Sequence, residues 1–303
     1  MEGARGGTAE RFTRAMKLAC ADDTFRLLEH DHILELIRML GLDGVDLCLM
    51  ESRSAVRLED VRADVAGWAE RLDEQVRGRG LEVADVFVIP WTDFLRFAPN
   101  HPDAAEREAS AALFRDMLEL ATRLRSPGMT ILPGVDWEGE GHEESLARAA
   151  AELGWRVEEA RSRGVRLSIE PHLGSVASTP ARALDLLERT PGLELTLDYS
   201  HFVYQGIPEA EVEPLVSYAR HCHVRGARQG RMQAPLRDST TDFERMIDVM
   251  IENDYAGFLG LEYVWLDWEH CNECDNISET ILLRDRLRAK LEGRPWTYPE
   301  MAV

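Results

Sequence analysis

The sequence of 303 residues predicts an α/β fold, a single (β/α)8 TIM barrel with a parallel eight-stranded core. Three observations predict it. Short apolar runs rich in β-formers alternate with longer amphipathic stretches, the alternation occurs eight times, and no Gly/Ser-rich or Pro-rich linker divides the chain. Each predicted strand is followed by a helix that has to cross back to a parallel neighbour. A closed barrel therefore fits this order better than an open sheet.

The predicted elements follow from the periodicity of the apolar residues. The candidate strands lie at residues 16–20, 44–50, 81–90, 128–133, 166–172, 193–200, 221–225 and 257–264. The amphipathic stretches that follow them predict helices at 32–40, 58–77, 104–125, 143–163, 179–188, 209–218, 241–253 and 278–290. Thr179 before Pro180 indicates one helix start, and Gly164 indicates one helix stop.

One domain accounts for nearly the whole chain, because barrels of this kind need roughly 250 residues. We expect the barrel at residues 15–292, an N-terminal tail at 1–14 and a C-terminal tail at 293–303. The five cysteines are scattered along the chain, which does not indicate a disulfide framework.

The chain is strongly acidic, with 35 Lys and Arg against 55 Asp and Glu and a net charge of −20 at pH 7. A field of this sign repels phosphate backbones and anionic lipid surfaces, so we expect neither nucleic acid nor membrane as a partner. No apolar run is long enough for a signal peptide or a transmembrane helix. We therefore expect a cytoplasmic protein.

Ionisable residues at strand ends are the candidate site, because the active site of a (β/α)8 barrel lies at the C-terminal ends of its strands. Four successive strands supply Glu170, Asp198, His223 and Glu262. Their intervals of 28, 25 and 39 residues each correspond to about one βα unit, so the side chains converge. Alternation distinguishes His223 from His221 only weakly. Three carboxylates and an imidazole suit Mn²⁺, Mg²⁺ or Co²⁺ better than Zn²⁺.

Three other residues near these strand ends are candidates for substrate contact. His172 and His201 follow strands five and six. The alternative for His172 is support of a ligating carboxylate, and for His201 it is a hydrogen bond within a helix or loop. Trp137, in the loop after strand four, is a candidate for stacking on the ring of a bound molecule, and the alternative is an exposed loop.

Four motifs carry a family resemblance over nearly the whole barrel: SIEPH at 168–172, LDYSH at 197–201, HCHVR at 221–225 and GLEY at 260–263. Together they resemble the xylose isomerase-like barrel superfamily, specifically its sugar phosphate isomerase/epimerase branch. The resemblance implies that one divalent cation is bound by Glu170, Asp198, His223 and Glu262, as by the equivalent residues of ketose 3-epimerases. It also implies that Glu170 and Glu262 move protons.

The same resemblance implies that His201, and Arg225 or Arg231, lie near substrate hydroxyls. The superfamily also contains abasic-site endonucleases, which use extra ligands on the earlier strands. Here those strands end in Cys20, Met50, Pro90 and Gly134. The endonuclease activity is therefore not expected.

The resemblance implies a divalent-metal-dependent isomerase or epimerase. It would interconvert small ketoses or keto-polyols by carboxylate proton abstraction and a metal-stabilised enediolate, with Mn²⁺ the expected metal. The alternative is a lyase on the same scaffold, either a keto-inositol dehydratase or the catalytic subunit of a C-glycoside deglycosidase acting on 3-keto C-glycosides. The resemblance also implies a homo-oligomer, or a small partner subunit for the deglycosidase. A sugar-binding barrel without turnover is a third alternative, which the intact ligand set disfavours.

Overall fold

Eight parallel strands close into a barrel in sequence order in a computed structural model of the chain, which describes residues 16–51, 53–91 and 93–299. The strands are β1 (Lys17–Ala21), β2 (Gly44–Met50), β3 (Glu82–Ile89), β4 (Gly128–Ile131), β5 (Arg166–Ile169), β6 (Glu194–Asp198), β7 (Ala219–Val224) and β8 (Phe258–Leu261). Parallel pairing of β1 with β8 closes the ring. The predicted fold class is confirmed.

Helices surround the barrel and cover its apolar outer face. They are α1 (His30–Met39), α2 (Leu58–Ala63), α3 (Val65–Arg77), α4 (Ala104–Arg123), α5 (His142–Ser162), α6 (Pro180–Arg189), α7 (Ser200–Tyr204), α8 (Glu209–Val212), α9 (Phe243–Glu252) and α10 (Asn276–Leu291). Three 3₁₀ helices lie at Asp22–Phe25, Glu213–Tyr218 and Trp268–Glu273. None of the helices in the described ranges combines the length and apolar character that crossing a bilayer requires.

The predicted ends of α5 and α6 are found where the sequence signals lie. The Thr179 side chain accepts a hydrogen bond from the Arg182 backbone N–H at 3.3 Å, and Pro180 occupies the first turn of α6. Gly164, just after α5, has a φ of +74°, a conformation that glycine adopts without strain. Gly164 therefore ends α5 just before the chain enters β5, and Thr179 begins α6 at the end of the loop that follows β5.

Two predicted helices are divided in the structure. The helix expected at 58–77 is interrupted at Asp64, whose φ of −151° is not helical and whose side chain caps α3 by accepting from the Gly67 N–H. The helix expected at 209–218 is α8 followed by a 3₁₀ helix. Pro214 in the first turn of that 3₁₀ helix supplies no N–H for a continuous α-helix.

The predicted strands at 166–172, 193–200 and 257–264 are too long at their C-terminal ends. Ladder pairing stops at Ile169, Asp198 and Leu261, because the chain beyond them turns into the loops at the barrel mouth. Glu170 and Glu262 are therefore each the first residue after a strand. The predicted N-terminal tail lies outside the described residues, and in the predicted C-terminal tail Trp296 packs against the core.

A polar layer fills the barrel interior below the site. Arg220, from β7, pairs with Asp85, from β3, at 2.8 Å, and both side chains are almost completely buried. Ser168 Oγ accepts a hydrogen bond from the Arg220 guanidinium at 2.8 Å, and the hydroxyl oxygens of Thr130 and Ser168 are 3.1 Å apart. Gly128 leaves room for this guanidinium, since a Cβ at that position would overlap it. The layer closes the N-terminal side of the barrel beneath the strand ends.

Removing one partner of the buried Arg220–Asp85 pair should strongly destabilise the fold. Asp85→Ala leaves a buried guanidinium without its counter-charge, which costs about 3–5 kcal/mol in the free energy of unfolding. Urea denaturation measures this loss. The matched control is Lys17→Met, which breaks an exposed pair with Glu82 and should cost less than about 1 kcal/mol. Equal losses for the two variants would contradict a structural role for the polar layer.

Candidate active site

The strand ends bring the four predicted metal ligands to one region of the barrel mouth. Asp198 of β6 pairs in register with His223 of β7, and His223 pairs in turn with Gly260, two residues before Glu262. Glu170 follows β5 on the other side of β6. All four ionisable side chains are buried. The closed barrel therefore concentrates three carboxyl groups and one imidazole in its interior.

The His223 ring lies between the two glutamates. Its Nδ1 is 2.9 Å from Glu170 Oε1 and 3.6 Å from Glu262 Oε2. One ligand atom from each of these three residues lies within 4.8 Å of the other two. Among the described residues, they are the first of three groups whose ligand atoms lie close enough together to hold a metal ion.

Asp198 belongs to a second, overlapping group with Glu170 and His201. Its Oδ1 accepts from the Ser200 N–H at 2.8 Å, and its Oδ2 is 2.7 Å from Arg225 Nη2. The four predicted ligands are thus connected through Glu170 rather than gathered in a single group. Arg225 holds the Asp198 carboxylate in place through this ion pair.

The protein's own groups shift the pKa values of the two glutamates in opposite directions. Burial raises the pKa of Glu262 to about 7, although the charges of His223 and Arg225 act against it. Burial also disfavours ionisation of Glu170, but the nearby imidazoles of His201 and His223 hold the pKa of Glu170 well below its usual range. A bound cation would compete with protons here, because only deprotonated side chains act as ligands.

The residues fit a divalent cation. Glu262 Oε2 is buried, and no group in the described parts of the chain makes a hydrogen bond to it. Burial disfavours charge on His223, yet the carboxylates of Glu262, Glu170 and Asp46 raise its pKa to about 10. Three carboxylates grouped around one imidazole supply the oxygen-rich donor set that hard divalent ions prefer.

Asp46 of β2 lies beneath His223 and was not predicted as a site residue. Its Oδ2 is 3.0 Å from His221 Nε2 and 3.7 Å from His223 Nε2, and the three residues form the third group with metal-ligand geometry. His223 is therefore the histidine that faces the glutamates, and His221 faces Asp46. Asp46 is fully buried, and a Cβ on Gly260 would overlap its carboxylate.

A cavity of about 330 Å³ opens above these groups. Glu170 and Glu262 line it, and so do three of the predicted substrate-binding residues: His172, His201 and Arg225. The opposite wall is largely apolar and includes Phe87, Leu132 and Phe94, whose ring lies 4.5 Å from that of His172 between centroids. Most of the ionisable lining residues thus come from the later βα units, whereas the earlier units supply mostly apolar side chains.

The two histidines at the mouth present different ring nitrogens. His172 Nδ1 is 2.8 Å from the Leu173 carbonyl and donates to it, so Nε2 is the acceptor; no described group bonds to Nε2. Burial and the nearby His201 lower the pKa of His172 to about 4, so its ring is neutral. His201 Nδ1 accepts from the Leu173 N–H, which directs its Nε2 to Glu170 and Asp198, both at 3.6 Å.

Trp137 and Arg231 do not line this cavity. Trp137 Nε1 donates to Asn100 Oδ1 at 3.2 Å, and its ring packs edge-on against His101. Arg231 pairs instead with Glu273 on the surface. The loops that carry these residues therefore use them in local contacts.

Comparison with known proteins assigns the family. The xylose isomerase-like TIM barrel model matches residues 34–285, so the chain belongs to that family, as the motifs predicted. The chain is also similar to an inosose dehydratase of Clostridium perfringens, with 26% identity over 124 residues. That match covers 34% of this chain and 42% of the dehydratase, less than half of the relative's length.

Two solved structures have the same fold over most of their length. A D-psicose 3-epimerase from Clostridium cellulolyticum H10 superposes with a TM-score of 0.73 at 16% identity, covering 91% of this chain and 99% of its own. The probable 3-DHS dehydratase from Bacillus anthracis gives a TM-score of 0.66 at 16% identity, covering 89% of this chain and 100% of its own. At these identities the likeness concerns the fold alone.

Gly260→Ala should disturb the layer beneath the candidate ligands. The added methyl group would overlap Asp46 Oδ2 and lie 3.1 Å from His221 Nε2, so we expect overpacking to cost about 1–3 kcal/mol of stability. Chemical denaturation measures it. Gly154→Ala, in the open middle of α5, is the control and should stabilise by about 0.5–1 kcal/mol. If both variants gain stability, the close packing against Asp46 is wrong.

Proposed function

We propose that the protein is a divalent-metal-dependent isomerase or epimerase of small ketoses or keto-polyols. The observation that carries this proposal is the pair of buried glutamates, Glu170 and Glu262, on either side of His223 and lining one cavity. Two carboxyl groups at one cavity suit removal of a proton from carbon and its return. Family membership supports a barrel-mouth site for this chemistry.

The residues that would hold the metal are Glu170, Asp198, His223 and Glu262, with Mn²⁺ the proposed ion and Mg²⁺ or Co²⁺ the alternatives. When bound, the cation supplies Lewis-acid polarisation of the substrate carbonyl. Arg225 orients Asp198 through the 2.7 Å contact between Nη2 and Oδ2. Asp46 faces the second ring nitrogen of His223 and so restrains the orientation of that ring.

The protein side chains carry the proton transfers. One glutamate removes a proton from the carbon next to the carbonyl, and the other returns it to the opposite face for epimerisation or to the adjacent carbon for isomerisation. His172 Nε2 accepts from a substrate hydroxyl, and His201 contacts a substrate oxygen. The apolar wall around Phe87 and Phe94 excludes water from the reacting carbon.

A lyase is the second candidate, favoured by the partial match to an inosose dehydratase. Dehydration of a keto-inositol, or cleavage of a 3-keto C-glycoside, also begins with loss of a proton beside a carbonyl. The difference lies in the leaving group, so product mass separates the candidates. A cytoplasmic location, a homo-oligomer, and a small partner subunit for the deglycosidase stay predictions.

Solvent isotope incorporation tests the reaction. The Mn²⁺-loaded protein is incubated in D₂O with ketoses, keto-inositols and 3-keto C-glycosides, and products are analysed by mass. We expect an unchanged skeleton that carries deuterium at the reacting carbon. Glu170→Gln should lower kcat about 10²- to 10⁴-fold, the range typical of a lost general base.

The matched control for this assay is Glu188→Gln, an exposed glutamate near the end of α6. It should leave turnover unchanged. Loss of water or of an aglycone would assign the protein to the lyases instead. Full activity of Glu170→Gln would exclude the proposed role of that glutamate.

Metal binding can be measured separately from turnover, through its effect on stability. Because the cation binds the folded site and not the unfolded chain, Mn²⁺ at about 100 times its Kd should stabilise the protein by about 2.7 kcal/mol. Thermal unfolding measures the shift. Glu262→Gln should abolish the shift, since it removes a carboxylate oxygen from the group around His223, whereas Glu188→Gln should retain it. An equal shift in both variants would place the ion elsewhere.

A further inference from the structure

Asp23 is a buried carboxyl group in the cavity wall that the proposed chemistry does not use. It lies in the 3₁₀ helix that follows β1, and β1 is the neighbour of β8 in the barrel. Cys20 pairs with Leu261, so the chain beyond these two strands brings Asp23 and Glu262 to the same rim. Both side chains line the cavity, and Asp23 is only 5% exposed.

Asp23 lacks the partners that a structural aspartate has. No described residue makes a hydrogen bond to its Oδ1, and the nearest ion-pair partner, Arg26 Nε, is 3.9 Å away. Asp22 beside it is different. Its Oδ1 accepts the Cys48 N–H at 2.9 Å, its Oδ2 is 3.3 Å from His30 Nε2, and it does not line the cavity.

A buried carboxyl oxygen without a hydrogen bond is costly, so it indicates a binding partner that the polypeptide does not supply. Burial raises the pKa of Asp23 to about 7, with Arg26 acting against the shift. Near neutral pH such a group both donates and accepts hydrogen bonds. A hydroxyl group has the same two capacities and is the matching partner.

The position of Asp23 defines which hydroxyl it would meet. Among the described lining residues from the first four βα units, the others are apolar side chains, Cys48 and the half-exposed Arg53. The candidate metal ligands stand at the ends of β5 to β8. Because β1 is the neighbour of β8, a molecule whose carbonyl lies at those ligands reaches Asp23 with a hydroxyl on the Glu262 side of the cavity.

We propose that Asp23 is a substrate-binding residue that hydrogen-bonds a hydroxyl of the substrate on the Glu262 side of the cavity. The substrate class is accordingly a polyhydroxylated ketone that keeps a free hydroxyl at that position. This inference rests on the proposed function, since that function places the carbonyl at the metal ligands. A ligand without the hydroxyl leaves Asp23 Oδ1 buried without a hydrogen bond, which is how such a site discriminates.

Binding to deoxy sugars tests the proposal. The probes are D-tagatose, D-fructose and their monodeoxy analogues, titrated by calorimetry into the Mn²⁺-loaded full chain. Asp23→Ala should weaken binding of a parent sugar about 10- to 100-fold, as expected for a hydrogen bond to an ionisable group. Asp23→Asn, which keeps a polar group, should weaken it less. One monodeoxy analogue should bind the wild type and Asp23→Ala equally.

Stability and a neighbouring variant supply the controls. Asp23→Ala should lower the free energy of unfolding less than Asp22→Ala, because Asp23 Oδ1 has no hydrogen bond from the described residues and its ion-pair partner, Arg26, is 3.9 Å away. Asp22→Ala removes the acceptor of the Cys48 N–H, so it should lower that free energy without changing the discrimination among deoxy sugars. An unfolding loss for Asp23→Ala as large as that for Asp22→Ala would identify a structural residue and overturn the proposal.

Three outcomes of the binding series also overturn it: unchanged affinity of Asp23→Ala, the same loss for every deoxy analogue, or no binding of any probe to the wild type. Failure of the proposed reaction has a separate signature. Asp23-dependent discrimination without deuterium exchange would support the Asp23 proposal and refute the chemistry. Deuterium exchange without such discrimination would do the reverse.

Discussion

The burial of several carboxyl groups inside one closed barrel is the constraint on which the rest of the structure depends. Like charges in a dry interior repel strongly unless each has a compensating partner. Here the partners come from other strands: His223 lies beside Glu170, Arg225 holds Asp198, and Arg220 holds Asp85 lower in the barrel. The interior is therefore organised as layers of paired charge. The upper layer faces the cavity, and in this layer Glu262 Oε2 has no hydrogen bond from the described chain.

Much of this arrangement could be predicted from the sequence, because each strand end carries a local signal. An acidic residue after an apolar run marks Glu170 and Glu262, and the one-unit spacing of the motifs predicts their convergence. The period of a strand shows which face a residue occupies but not how deep in the barrel it lies. For that reason Asp46, inside the apolar run GVDLCLM, is not predicted as a site residue. A lone acidic residue in such a run is nevertheless a signal that could indicate a polar position inside the barrel. Asp23 follows a short strand and precedes a loop, so only the fold shows that it faces the cavity.

Loop residues were the less predictable part of the site for a different physical reason. The contacts of a loop side chain depend on which neighbouring loop it meets, and no periodicity records this. His172 and His201 are held close to strand ends and do line the cavity. Trp137 and Arg231 lie farther along their loops and are engaged by Asn100 and Glu273. Among helices, the interruption at Asp64 was hidden because both halves continue one apolar pattern across it.

Two of the interior glycines, Gly128 and Gly260, have a consequence for how this barrel can change by mutation. Each leaves space that a charged side chain from another strand occupies, Arg220 in one case and Asp46 in the other. A larger residue at position 260 costs less stability once the side chain at position 46 has been shortened, and position 128 depends in the same way on position 220. The order of substitutions therefore matters at these pairs: the same double variant loses less stability on the way when the charged side chain is shortened first than when the glycine is replaced first. Such epistasis would keep the charge layers intact while the loops around the cavity diversify.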